Sequence, residues 1–403
     1  MIDDSVGLTG SGLYLYFIAK RVLQKNAEVY YLYNTKTDHI KHLNKHSNFN
    51  AIKIENRLNN NFLMLNKLSF YKSIKSNVMK LVKNDSIDLI HLNESFNPYY
   101  FYLKPIFEKF NIKSVVTAHG CVNYEAKTII SHPLVHFKEK IAHSIYYPPL
   151  IKFEIGNLIQ IQNYISVTAG VKNNLIKIAK LFLNYDIKDK IIHIPNGVDT
   201  RMFSPKIKAE KYNNIKKSED EIAIIFSGGL VVRKLPILLI KSFYLLKKYI
   251  PNVRLILIGG GRLYTECVNL ITQLDLNESV NLLGYIEHAD IPKVLSIADI
   301  FVLPSIYETP GISMLEAMAM KIPVIASNLP DINEIIIHEK TGLLFNNNQH
   351  AIKNLYLNLK KIIENDVLKN EIKEQAFSYI KKYYEIHKIT DKIFNYYDIL
   401  INS

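Results

Sequence analysis

Ile300-Phe-Val-Leu-Pro-Ser305-Ile-Tyr-Glu308-Thr-Pro310-Gly311-Ile-Ser-Met-Leu-Glu316-Ala-Met-Ala-Met320-Lys-Ile-Pro-Val-Ile-Ala326 is the stretch on which the reading of the fold turns. Ile300–Leu303 reads as a buried strand, Pro310-Gly311 as a helix start, and Pro323–Ala326 as the next strand. Strand, helix and strand in so short a span form a βαβ unit, hence a parallel sheet. A helix that begins beside strand ends aims unpaired N–H groups and its positive dipole end at whatever lies there, which suits an anion. Glu316 stands in an otherwise apolar turn, where an unpaired carboxylate is costly and must find donors. Ribose hydroxyls would serve. So would the backbone, because Ser313-x-x-Glu316 has the spacing of a capping box. The two readings separate on where the helix begins: at Ser313 as N-cap for the box, nearer Gly311 for a ligand. Glu308 lies in the loop, as a contact for a sugar hydroxyl or as an exposed carboxylate.

Outward from this stretch the same alternation recurs. Val29–Tyr33, Leu89–Asn93, Ser114–Thr117, Tyr164–Thr168 and Ile191–Ile194 read as strands, and so do Ile222–Ser227, Val253–Ile258 and Val280–Leu283. Helix-like segments separate them, the first being the amphipathic Leu13–Leu23. Phe377–Ile401 reads as one final helix. Ser204–Asp220, rich in Lys, Asn and Glu and poor in strand formers, reads as an interdomain linker. The pattern predicts two doubly wound α/β domains in series. Such sheets bind ligands beyond the carboxyl ends of their strands, so the loops there are where chemistry belongs.

Phe226-Ser-Gly-Gly-Leu-Val-Val-Arg-Lys234 runs from a strand into Gly228-Gly229 and then to two adjacent cations. Arg233 offers a planar fork and Lys234 a point charge for a diphosphate. An alternative is a solvated pair at a helix start. Gly259-Gly-Gly-Arg-Leu-Tyr264 fails the dinucleotide fingerprint, since Tyr264 stands where the third glycine belongs; it reads as a tight turn after a strand. Gly284-Tyr285-Ile286 could edge a base pocket with backbone groups. In the first half, His119 of Thr117-Ala-His119-Gly120 could donate to a sugar hydroxyl or phosphate, or be an ordinary histidine. Gly10-Ser11-Gly12 could face an anion with its amides. Pro195-Asn196-Gly197 is a turn with no chemistry assigned.

Composition narrows the function classes. The 403 residues are 48% hydrophobic and 22% charged, which excludes a disordered chain, and the net charge is +13. Residues 1–210 hold 28 basic and 16 acidic residues, so almost all the excess lies in the first half. Arginine is scarce and no nucleic-acid-binding module is visible, so nucleic acid is not an expected partner. Cys121 and Cys267 have no metal-ligand or framework spacing, which points to a reducing compartment. No apolar run reaches the ~18 residues of a membrane span. No secretory signal is visible at the start, so the expectation is a cytoplasmic, soluble or peripheral protein.

Taken in order, the motifs resemble the retaining glycosyltransferases of family 4, which have the GT-B fold. The pieces are Ile194-Pro-Asn-Gly-Val-Asp199, Gly228-Gly-Leu-x-x-Arg233-Lys234, Leu257-Ile-Gly-Gly-Gly261, Gly284-Tyr-Ile286, Glu308-x-x-Gly311-x-x-x-x-Glu316, Pro323-Val-Ile-Ala326 and Gly342-Leu-Leu344. They cover 190–345 densely and the first half sparsely. The resemblance implies two Rossmann-like domains facing a cleft: residues 1–205 on the acceptor side and 206–384 binding a nucleotide sugar, with a helix at 385–403 packing back on the first. It implies transfer of a sugar from a nucleotide-diphosphate sugar, with retention, to a saccharide or lipid-linked acceptor in surface polysaccharide or lipopolysaccharide synthesis. By position, Arg233 and Lys234 would hold the diphosphate and stabilise the leaving group, with Gly229 beside them. Gly311 and Ile312 would add helix N-terminal amides, Glu316 would bind the ribose, and backbone at Ile286 would meet the base. Glu308 would contact the donor sugar, His119 its hydroxymethyl side, and Gly12 would lie near the phosphates. No cofactor and no metal are implied.

Two departures stand out. Pro310 occupies a position where the family usually has Phe or Tyr, which leaves donor selectivity open; proline suits a first helical position. Only Met1–Val6 precede Leu8–Gly12, where the family has a full strand. That gives the alternative: a truncated, inactive paralogue acting as a binding subunit. Residues 121–163 mix aromatics, aliphatics and lysines; they read as a rest for anionic lipid on the inner face of the plasma membrane, or as a packed helix pair.

Overall fold

The computed structural model of the chain describes residues 1–3, 10–33, 38–54, 63–85, 87–94, 99–209, 211–212, 215–216, 218, 220–309 and 311–403. The chain divides into two compact units. One comprises Met1–Tyr124, Tyr146–Asn196 and His387–Ser403, the other Glu125–Ile145 and Gly197–Ile386. This differs from a single cut after residue 205. Polar ties give the reason that 125–145 goes with the second unit: Glu125 lies 3.7 Å from Arg233, Glu139 lies 3.3 Å from Arg262, and His132 Nε2 bonds the Asn347 carbonyl at 2.9 Å.

In the first unit, β1 (Ile2–Asp3), β2 (Val29–Tyr33), β3 (Phe49–Lys53), β4 (Leu89–Asn93), β5 (Lys113–Ala118), β6 (Tyr164–Ser166) and β7 (Ile191–His193) form a parallel sheet in the order β3-β2-β1-β4-β5-β6-β7. Its helices are α1 (Gly10–Gln24), α2 (Leu63–Asn84), α3 (Tyr99–Phe110), α4 (Val122–Ser131, which begins here), α5 (Phe137–Gln160, which ends here) and α6 (Ala169–Leu183). The short β1 is central, with Ile2 paired to Leu32 on one side and Leu92 on the other. Asp4–Val6 lie outside the described residues. Strand alternation splits the core: Ile90, Leu92 and Val116 face one layer, while Val115 faces a second layer built from Leu15, Ile18 and Val22 of α1.

The second unit opens with a short antiparallel pair, β8 (Lys211–Tyr212) and β9 (Ile215–Lys216), inside the stretch read as a linker. Ile215 is buried there, which ties the segment down and corrects that reading. Then β10 (Ile222–Ser227), β11 (Val253–Ile258), β12 (Val280–Gly284), β13 (Ile300–Leu303), β14 (Val324–Ser327) and β15 (Leu343–Phe345) form a parallel sheet in the order β12-β11-β10-β13-β14-β15. The helices are α7 (Pro236–Tyr249), α8 (Tyr264–Gln273), α9 (Ile291–Leu295), α10 (Ile312–Ala319), α11 (Pro330–Asn333), α12 (Ala351–Glu364) and α13 (Asp366–Tyr383). In each sheet the order reverses at the first strand, and that switch point is where doubly wound sheets take ligands.

The expected single helix over 377–401 is two. α13 ends at Tyr383 and α14 spans Ile386–Asn402. Between them the chain runs past Val198, whose N–H donates to Tyr384 O (2.9 Å) and whose carbonyl accepts from Ile386 N–H (3.0 Å). The backbone satisfied by that bridge is withdrawn from the helix. α14 then buries Ile389, Ile393, Tyr397 and Leu400 against α1, and Arg21 forks onto Asp391 at 2.6–2.8 Å. Among the described residues, no helix is long and apolar enough to cross a membrane.

Candidate functional site

At the switch point of the second unit, the loops after β10 and β13 are tied together. Ile306 N–H donates to Arg233 O at 2.8 Å. Lys234, 7% exposed, donates through Nζ to Glu308 Oε2, and Ser305 Oγ donates to the same oxygen at 2.9 Å. Glu308 is 4% exposed, so the exposed-carboxylate reading of this residue does not hold. Burial pulls the Lys234 pKa below the ordinary lysine value, with Arg233 adding repulsion, while Glu308 opposes both. Just beyond the cations, Leu235 takes a left-handed conformation (φ +47°) before Pro236 starts α7. A non-glycine residue there costs about 1–2 kcal/mol, a strain held in place by the surrounding loop.

Glycines let these loops interlock. Gly259 has φ +124°, and a Cβ on it would lie 2.1 Å from Gly228 O; one on Gly261 would lie 2.5 Å from Leu230 O. The Gly259-Gly260-Gly261 turn is therefore a packing device that brings the loop after β11 onto the loop carrying Gly228 and Gly229, as expected for a turn that is not a dinucleotide fingerprint.

α10 begins at Gly311, its N-cap residue, and Ser313 lies inside the helix. The capping-box reading of Glu316 is thereby excluded. A Cβ on Gly311 would sit 3.0 Å from Glu308 Oε1, so glycine here leaves room for that carboxylate. Glu316, 4% exposed, accepts from His288 Nε2 at 2.7 Å. His288 follows β12, four residues beyond Gly284, and its ring packs 5.3 Å from that of buried Phe203. Ile286 and Ile312 are half-buried, and Pro310 lies outside the described residues. Arg233 is the more exposed of the two cations, with Nε 3.7 Å from Glu125.

In the first unit, His119 follows β5, one strand over from the switch point between β1 and β4. Its Nε2 lies 2.7 Å from Asn93 Oδ1, and because that oxygen only accepts, Nε2 carries the hydrogen. Burial pushes the His119 pKa down to about 3. The ring is thus neutral near pH 7, and the nitrogen left for a ligand, Nδ1, is an acceptor rather than the donor expected from sequence. Tyr14 of α1 packs edge-on against it at 4.8 Å. Behind Tyr14 runs a buried polar chain: Thr117 Oγ1 donates to Tyr14 at 3.1 Å, His91 Nε2 lies 2.7 Å from Thr117 Oγ1, and His91 Nδ1 meets the Tyr397 hydroxyl of α14. Glu154 of α5, fully buried, accepts from the amides of Val122 (2.8 Å) and Asn123 (3.1 Å) at the start of α4. Gly12 is buried in the first turn of α1; the side-chain surroundings of Gly10 and Ser11 lie outside the described residues.

Residues 8–202 match the family described as Glycosyltransferase Family 4, and residues 208–379 match Glycosyl transferases group 1. The chain belongs to the family 4 and group 1 glycosyltransferases. An uncharacterized glycosyltransferase of Methanocaldococcus jannaschii is 33% identical over 161 residues, 39% of this chain and 41% of that protein. A UDP-Gal:alpha-D-GlcNAc-diphosphoundecaprenol alpha-1,3-galactosyltransferase of Escherichia coli is 29% identical over 222 residues, 53% of this chain and 56% of that protein. The chain thus spans about half the length of these relatives. Among solved structures, Anabaena HepE in complex with UDP and glucose superposes with a TM-score of 0.72 over 98% of this chain and 97% of that one, at 17% identity. That likeness is one of fold: two Rossmann-like domains of the GT-B class.

In this chain the sequence-derived residues fall into two groups. Lys234, Glu308 and Gly311 converge in contact at one switch point, with Arg233 and Gly229 on the same loop and Glu316 further into α10. His119 and Gly12 belong to the first unit. Sequence reading missed His288, Asn93, Tyr14 and Ser305. His288 and Ser305 stood within or beside quoted motifs, so a search for partners of the acidic residues could have reached them. Asn93 and Tyr14 carry no motif, and only the fold brings them to His119.

Proposed function

We propose that the protein transfers a sugar from a nucleotide-diphosphate sugar to a saccharide or lipid-linked acceptor, with retention at the anomeric carbon. The observation that carries this reading is the buried Lys234–Glu308 pair at the carboxyl ends of β10 and β13, next to the α10 N-terminus at Gly311. Lys234 and Arg233 neutralise the diphosphate and the charge that grows on it as the glycosidic bond breaks. The amides of Gly311 and Ile312 add the helix dipole, Glu316 takes the ribose, backbone at Ile286 meets the base, and Glu308 meets the sugar. His119 accepts from a sugar hydroxyl. This cationic set serves without a bound metal. The donor reading is supported by HepE, solved with UDP, and by the UDP-Gal specificity in the Escherichia coli enzyme's name; the diphosphoundecaprenol in that name supports a lipid-linked acceptor. An inactive binding subunit is not favoured, since the chain keeps the whole donor-side set.

A turnover screen of nucleotide sugars, scored by release of nucleoside diphosphate, tests this function. Glu308→Ala and Lys234→Ala should each lose most of the turnover; wild-type rates in both would refute the roles given. Peripheral attachment to the inner face of the plasma membrane is part of the same reading. It is supported by the exposure of Phe137 (73%), Ile145 (73%) and Tyr146 (60%) along α5, in the half of the chain that carries the positive excess. Equal flotation with neutral and acidic liposomes would count against it.

A further inference from the structure

We propose that His288 is a positioning residue for the nucleotide, holding Glu316 so that one carboxylate oxygen is presented to a ribose hydroxyl. The inference rests on the reading of Glu316 as the ribose contact and adds to it a residue that no motif marks. Glu316 is nearly sealed, at 4% exposure, yet receives no capping bond, because α10 starts at Gly311. Its Oε1 accepts from His288 Nε2 at 2.7 Å. Its Oε2 has no hydrogen-bond partner among the described residues, and it is not one of the buried unpartnered atoms, so it keeps contact with solvent. A carboxylate with one oxygen bonded to a fixed imidazole is held in orientation, and its other oxygen keeps its lone pairs for a donor.

The imidazole is itself fixed. Its side chain is 14% exposed and packs against Phe203, with ring centroids 5.3 Å apart at 54°. Phe203 is 1% exposed and so cannot yield. The ring wall thus sets the histidine, the histidine sets the carboxylate, and the carboxylate awaits a donor. A ribose hydroxyl supplies the donor; a deoxyribose at the matching position does not. The pair predicts selection for ribonucleotides through a buried acceptor that would otherwise stay empty.

The test is calorimetric binding of UDP, GDP and ADP to the full chain, followed by the 2′-deoxy and 3′-deoxy forms of whichever binds best. His288→Phe keeps a ring against Phe203 and removes the donor. It should weaken the ribonucleotide about tenfold and shrink its advantage over the deoxy form. His288→Gln places an amide N–H where Nε2 stood and should restore both; His288→Asn, too short to reach, should not. If His288→Phe or His288→Asn binds with wild-type affinity and wild-type ribose preference while Glu316→Gln loses both, the inference fails and the ribose role of Glu316 stands. If Glu316→Gln also binds like wild type, or if the wild-type chain binds none of the three nucleotides, the ribose reading itself fails and the inference with it.

Discussion

Glu308→Ala leaves two donors without an acceptor: the Lys234 ammonium, 7% exposed, and the Ser305 hydroxyl, 0% exposed. Breaking a buried ion pair on one side costs about 3–5 kcal/mol, because the surviving charge stays desolvated. The structure also sets a ceiling. Lysine can escape by losing its proton, and from an ordinary value of 10.5 that escape costs about 5 kcal/mol at pH 7. The destabilisation therefore lies between about 3 and 5 kcal/mol, and for a unit of this size it lowers Tm by roughly 2–4 °C per kcal/mol. The sign of the pH dependence follows. A lysine whose folded pKa is lowered binds fewer protons folded than unfolded, so its penalty eases as pH rises through the window from its folded value up to 10.5.

In the variant that window widens, since the opposing carboxylate is gone, and the deficit should shrink by about 1.4 kcal/mol per pH unit once Lys234 is neutral in the folded state. Denaturant unfolding followed by far-UV circular dichroism at pH 7 and pH 9 measures both quantities. Lys234→Met/Glu308→Leu, which removes both charges and keeps volume, should recover most of the loss at pH 7. A Glu308→Ala protein within about 1 kcal/mol of wild type, or a double variant no more stable than the single, would refute the buried-pair reasoning.

Two further outcomes are expected. His91 and His119 both have folded pKa values pushed down by burial, His119 to about 3, so their contribution to first-unit stability is complete above 6.5 and is lost as pH falls from 6.5 toward each folded value. Each should add about 1.4 kcal/mol per pH unit to the slope between those limits, and denaturation midpoints from pH 7 to 4.5 should flatten in His91→Gln; an unchanged slope would count against it. Gly259→Ala should cost at least about 3 kcal/mol or prevent folding, since the added carbon would meet Gly228 O at 2.1 Å in a left-handed backbone; thermal unfolding of that variant beside Gly260→Ala, which meets nothing within 4 Å, gives the contrast.

Much of the second unit was legible because most of its strands are buried apolar runs bounded by glycine or proline, and each stands alone as a signal. Ile222–Ser227, Val253–Ile258 and Ile300–Leu303 appear in the structure with the boundaries read from sequence. Among the strands overlooked, Phe49–Lys53 is the first sheet's edge strand and Leu343–Phe345 a three-residue piece; the former buries only Phe49, so its alternation is faint. Helical periodicity in 377–401 concealed the break at Tyr384-Glu385, because the cause is Val198, nearly two hundred residues away in sequence. At the site, the acidic and basic residues were visible and their partners were not. Glu308 and Lys234 announce charge, but nothing in either motif says that the two meet, and His288 gives no sign that it will reach Glu316.

The polar chain from Tyr397 to Tyr14 asks why a layer otherwise made of Leu15, Ile18, Val115 and Ile165 should bury a histidine, a threonine and two phenols. Apolar residues of the same shape would hold such a layer as well or better, because a buried polar set contributes net stability only when every member is satisfied. What it supplies instead is direction. His91 has two nitrogens and two partners, so its tautomer fixes the sense of every hydrogen bond on either side of it. With Thr117 donating to Tyr14, the chain runs from α14 toward α1, and the phenol at its end has one hydrogen left and a ring set edge-on to His119. Asn93 fixes the same imidazole from the other side. His119 is thus held by contacts that trace back to the last helix of the chain, and truncating α14 would act first on the orientation of that ring.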